Sequence, residues 1–335
     1  MNTKPATQDL LFDTVRIGLS PNLSMVHEIS ELLEISYDSA YRRIRGEKEL
    51  TIEELRLICD RFKISADSLF ALESRNVLFN PLAIHERGFS FKDWLLTILS
   101  AIKAINSCKD KEIIYSAKDI PVFHYFEFPE VLAFKYYFWH KELIPENLFP
   151  DQTLTLNITE ELKSIGHQII TTYNKILTSE LWNEETFNSL LRQIEFCYIS
   201  GFFRNTEDIQ QLLLSIETMI RHLWRQAELG FRFLYGSEPE GIEGSYKLYL
   251  NEVLLGDNTI FTNADSRKSV YLTYNVINLL TTSNPDFCGQ VERSLRVLMH
   301  KSTLISSTSA KERSRFFNQI MDKIKSLRGK LFEGK

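Results

Sequence analysis

Between Ser24 and Phe70, residues that start helices and residues that stop them follow one another too closely for any long element to form. Ser24 precedes Val26, Ile29 and Leu33, apolar residues on one helical face, so it heads a short helix. Ser36 opens another, which Gly46 stops. Thr51 with Glu54 three residues later has capping-box spacing and heads a helix that should bury Ile52, Leu55, Ile58 and Phe62. Ser65 caps a last turn holding Leu69 and Phe70, and upstream, residues 8–19 carry Leu11 and Val15 at helical spacing. Residues 1–72 therefore predict a compact domain of five short helices.

Two helices crossing at a tight corner need a small residue where their backbones approach and apolar pegs on both sides. Ser30 is small, and Leu33 and Ile35 supply the pegs. With Ile29, Glu34 and Ser36 these residues form a large-small pair followed by an apolar-turn-apolar-Ser corner. Ile44-Arg45-Gly46-Glu47 marks a stop, and Ile64-Ser65-x-Asp67-x-Leu69-Phe70 closes the pattern. Over about 50 residues the segment resembles the Cro/lambda-repressor type of helix-turn-helix, the XRE-like family of transcription regulators. The resemblance implies a five-helix, lambda-repressor-like fold and double-stranded DNA as partner. Glu34 stands where that family usually has Gly, so it must accept a left-handed backbone at a cost of about 1 kcal/mol.

At about 100° per residue, a helix with Ala40 and Ile44 inward turns Asp38, Arg42 and Arg45 outward. Tyr37 and Tyr41 then fall on one flank and Arg43 on the other. A major groove admits one helix, whose N-terminal part meets base edges. The resemblance thus places Tyr37, Asp38, Ser39 and Arg42 on bases, with Arg42 reading a guanine bidentately. Arg43, Arg45 and Lys48 fall on phosphates, and Ser36 caps the reading helix. Asp38 lies one turn from Arg42 and can preset its guanidinium. The first 75 residues hold ten Lys and Arg against thirteen Asp and Glu. One such domain binds modestly, so a homodimer is expected. The competing reading is a scaffold protein whose helix-turn-helix-like domain contacts protein.

The remaining chain reads as a linker at 73–89, a helical dimerisation or sensing domain at 90–235, and an α+β unit at 236–335. That last unit is either a third domain or an extension of the second. Helices are expected near 94–105, 129–140, 158–182, 184–203, 206–232, 291–300 and 310–331, and short strands near 112–116 and 302–306. Residues 246–255 and 269–280 have strand-like composition. The fold class is accordingly mainly α. Nine aromatics crowd into residues 122–139, as in a core or dimer-interface helix or in the lining of a pocket for a flat or apolar effector.

The net charge of −5 argues against indiscriminate coating of nucleic acid but leaves room for a local reading head. Four widely spaced cysteines show no metal or disulfide pattern, and no uninterrupted apolar run reaches membrane length. No nucleophile elbow, phosphate loop or dinucleotide fingerprint occurs. A non-enzymatic, cytoplasmic regulator without cofactor or metal is expected, with a small molecule or protein as effector.

Overall fold

The computed structural model describes residues 7–18, 24–62, 64, 66–70, 77–81, 90–143, 153–252, 256–274 and 277–332. Two compact units divide the chain at Val77 and Leu78.

The first unit contains α1 (Thr7–Gly18), α2 (Met25–Leu32), α3 (Tyr37–Ile44), α4 (Ile52–Phe62) and α5 (Ala66–Phe70). Its core is Leu11, Phe12, Val15, Ile29, Ala40, Ile58 and Leu69, with Leu33, Ile35, Ile44, Leu55 and Phe62 packed against it. The capping box at the head of α4 forms: Thr51 N–H donates to Glu54 Oε2 at 3.0 Å, and Glu54 N–H to Thr51 Oγ1 at 3.2 Å. Ile52, expected in this core, is instead 85% exposed. As the first residue of α4 it points away from the stripe that buries Ile58. Ser65, the expected cap of α5, lies outside the described residues, as does all of the 73–89 segment except 77–81.

The second unit overturns the expectation of a mainly helical body. Its elements are β1 (Asn80–Pro81), α6 (Phe91–Asn106), β2 (Lys111–Ser116), a 3₁₀ turn (Val122–Glu127), α7 (Pro129–Leu143) and α8 (Glu160–Tyr173). There follow β3 (Leu177–Trp182), α9 (Asn188–Ile199), α10 (Thr206–Leu229), β4 (Tyr246–Leu250), β5 (Thr259–Ala264) and β6 (Arg267–Tyr274). The chain continues through β7 (Asn278–Thr282), α11 (Pro285–His300), β8 (Thr303–Leu304) and α12 (Ala310–Phe332). The strands make one eight-stranded mixed sheet in the order β1-β7-β6-β5-β2-β3-β4-β8. β2, β3 and β4 are parallel and joined by helical crossovers, while the other pairings are antiparallel. Strands from both halves of residues 90–335 thus interleave in a single sheet.

The predicted helix over 158–182 ends at Tyr173, and β3 follows. β3 is buried at all but its first residue, so it shows none of the alternation that marks a half-exposed strand. Alternate residues serve two cores. Ile113, Tyr115 and Trp182 join the large cluster with α6, α7, α8, α10 and α12. Ile114 and Leu181 join Phe261, Val270, Cys288 and Leu295 beneath α11.

Inside the larger core stands a carboxylate, Glu180 of β3, with no exposed surface. Oε1 accepts from Tyr173 Oη at 2.9 Å, and Oε2 accepts from Trp182 Nε1 at 3.0 Å and Tyr246 Oη at 3.1 Å. His124 Nε2 lies 3.0 Å from both oxygens. Arg232 Nη1 stands 4.0 Å away, and its guanidinium stacks 3.9 Å from the Tyr173 ring centroid. Burial alone would raise the carboxyl's pKa. The charges of His124 and Arg232 and these hydrogen bonds outweigh it, so the pKa is lowered. The aromatic run at 122–139 serves this core: Phe123, Tyr125, Phe126, Phe128, Phe134 and Trp139 are buried.

Candidate nucleic-acid interface

α2 and α3 meet at the corner expected from the sequence. Ser30 is buried there and its carbonyl accepts from Ile35 N–H at 3.0 Å. Glu34 turns the chain at φ +53°, the left-handed conformation its position demands. Ser36 is extended, and its Oγ accepts from Ser39 N–H at 3.3 Å, capping α3. The far end closes with Gly46 at φ +72°. Gly46 N–H donates to the Arg43 carbonyl at 3.0 Å, and Glu47 N–H to that of Arg42 at 2.9 Å. Gln8 of α1 braces this end: its Nε2 donates to the carbonyls of Arg43 (2.7 Å) and Lys48 (2.8 Å), and its Oε1 accepts from Leu50 N–H at 3.1 Å.

The outward face of α3 holds Tyr37, Asp38, Tyr41, Arg42 and, just beyond its end, Arg45 and Lys48, all exposed. Among the described residues neither the Asp38 nor the Arg42 side chain forms an ion pair, so the expected pairing of the two is not made. Tyr37 is 56% exposed and stacks on His27, with its Oη 2.8 Å from His27 Nδ1. Ser39 is half-buried and receives the Ser36 hydroxyl at 3.1 Å. Arg45 lies over the Tyr41 ring at 4.9 Å and near Glu47 at 3.5 Å.

Arg43 departs from the expected phosphate role. It is 4% exposed and turns inward beside Ala40. Nη2 donates to Glu54 Oε1 at 2.6 Å, Nε to Glu54 Oε2 at 3.2 Å, and Nη1 to the Ser39 carbonyl at 3.1 Å. The bidentate bond of Arg43 is the leading cause that holds the Glu54 carboxyl below the usual carboxylate range, against the opposing effect of burial. Glu54 therefore serves twice, as capping-box acceptor and as counter-ion beneath α3. At about 100° per residue Arg43 falls at the border between the two faces of α3. The signal that could have found the pairing is Glu54 itself, whose capping position leaves its carboxylate beside α3.

Residues 9–104 match the BetR domain, a helix-turn-helix-type DNA-binding family. The match runs from α1 into α6 and supports the helix-turn-helix class without singling out its Cro/lambda branch. No curated protein and no solved structure matches the chain.

Proposed function

We propose that this chain is a sequence-specific, DNA-binding transcription regulator that works as a homodimer, with the larger unit dimerising and sensing an effector. The observation that carries the reading is the free guanidinium of Arg42. It stands in the open on a short helix whose two ends are capped and whose inner face is bolted to α4. Such a helix can enter a major groove without rearranging. Arg42 reads a guanine, with Tyr37, Asp38 and Ser39 nearest the neighbouring bases. Arg45 and Lys48 hold phosphates, and the phosphate role is withdrawn from Arg43.

Selection of bound duplexes from a random pool by the full chain tests this. The expected product is a repeated half-site whose centres lie about one duplex turn apart. Affinity should fall as salt rises, because phosphate contacts release counterions. Arg42→Ala should cost about 1–3 kcal/mol at one base position and relax specificity there, whereas Lys48→Ala should weaken all sequences alike. Equal losses on selected and random duplex for Arg42→Ala contradict the assignment. Absence of any selected sequence, with capture of one protein partner, favours the scaffold reading.

A further inference from the structure

In the larger unit a cavity of about 340 Å³ opens between the end of the 3₁₀ turn, α8 and the segment after α10. That volume lies at the lower end of the range for small-molecule sites. Phe126, Leu234 and the Tyr235 ring give it apolar surface, Glu127 and Lys163 give it charge, and His167 adds a ring nitrogen donor.

The cavity is held together by specific contacts. Gly166 lets α8 close on Phe126, since a Cβ there would stand 3.2 Å from the Phe126 ring. Tyr235 N–H donates to Glu127 Oε1 at 2.6 Å, and its ring packs 5.2 Å from Phe128 and 5.5 Å from His222. Glu127 is thus an almost buried carboxylate, its side chain 8% exposed, fixed through one oxygen. Its other oxygen, Oε2, lies 3.7 Å from His222 Nε2, too far for a hydrogen bond, so Oε2 keeps its accepting capacity. Lys163 and His167 lie one turn apart on α8. Among the described residues Lys163 pairs with Glu160, an exposed pair that costs little to break, and His167 faces solvent.

A simple anion would meet the Glu127 carboxylate, and a simple cation would meet the Lys163 ammonium. A molecule carrying both charges next to an apolar body satisfies all six side chains. We propose that this cavity binds a small α-amino-acid zwitterion with an apolar side chain. Its ammonium sits on Glu127 Oε2, its carboxylate on Lys163 and His167, and its side chain on Phe126, Leu234 and Tyr235. Such a ligand would give the larger unit its effector, yet the binding is read directly and stands or falls independently of the DNA assignment.

The test is calorimetric titration of the full chain with L-leucine, L-methionine and L-phenylalanine. The controls are 4-methylpentanoate, which lacks the ammonium of leucine, and 3-methylbutylamine, which lacks its carboxylate. At least one amino acid should bind at a Kd of about 1 mM or tighter, and both controls should bind at least about tenfold more weakly than leucine. Glu127→Gln keeps an acceptor for Tyr235 N–H but loses the charge, and should weaken binding about tenfold. His167→Ala, at an exposed position that does not endanger the fold, should weaken it a few-fold, about two to five. The proposal is overturned if no amino acid binds at about 10 mM. Either control binding as tightly as leucine overturns it too, as does a Glu127→Gln protein that folds and binds like the parent.

Discussion

In the small unit Arg43 and Glu54 form a bidentate pair beneath a helix that faces outward, and the carboxylate also caps α4. In the large unit Glu180 gathers side chains from the 3₁₀ turn, α8, β3, β4 and the segment after α10, with nothing exposed. Lys135 shows a third solution there. Its ammonium is buried among the rings of Tyr125, Phe138 and Trp139 and donates to one neutral acceptor, Gln193 Oε1, at 2.7 Å. The difference teaches how each unit uses buried charge. The pair orients one short helix, the network ties a sheet to its covering helices, and the lone ammonium is carried at a cost.

Replacing Glu180 by Leu tests the comparison most severely. It leaves His124 and the donors of Tyr173, Trp182 and Tyr246 without their carboxylate and removes the charge facing Arg232, and should destabilise the large unit by about 4 kcal/mol. Denaturant unfolding followed by near-ultraviolet circular dichroism of the buried Trp182 would report it. An unchanged transition would show that the network is dispensable.

Arg43→Met should cost the small unit about 2–3 kcal/mol, because Glu54 then keeps only its capping bonds. A pH series sharpens the point. The folded carboxyl of Glu54 lies below its unfolded value, so the stability it contributes is present above the unfolded carboxylate range. That contribution is lost as pH falls through the folded value. Thermal melts of the small unit should therefore show acid lability in the parent and much less of it in Arg43→Met.

Lys135 has the opposite sign. Burial pushes its pKa down to about 8, so near neutral pH the charged amine costs about 3 kcal/mol relative to an unperturbed lysine. The unfolded chain binds the extra proton, so stability of the large unit should rise as pH increases from about 8 towards the unfolded lysine value. Lys135→Met should flatten that rise and stabilise the unit by about 1–2 kcal/mol at pH 7, read as a raised denaturation midpoint. The smallest effect belongs to Glu34→Gly, which relieves the left-handed strain at φ +53° and should add about 1 kcal/mol or less to the small unit. A loss there would show that the Glu34 side chain matters to the corner.

Much of the first unit was legible because its signals are local. Ser36, the Thr51–Glu54 box, Gly46 and the strained Glu34 each act within a few residues of themselves, and the structure puts each where spacing places it. Arg43 and Ile52 were misread because both sit where a helical face changes from inside to outside. A neighbouring element, not the period, decides such positions. β3 and β5 were missed for another reason. Thr178, Ser179 and Glu180 look polar enough for a surface, and only donors arriving from distant segments make their burial tolerable. The cavity beside Glu127 is built from residues more than 100 positions apart, so no local pattern announces it.

Short-range chemistry, in caps, turn residues and a corner of small and apolar side chains, was enough to specify the helix-turn-helix and the outward path of Arg42. The eight-stranded sheet, the inward turn of Arg43 and the buried carboxylate depended on long-range packing. Whether a strand forms or a charge goes inside is settled by partners that lie next to it only once the chain has folded.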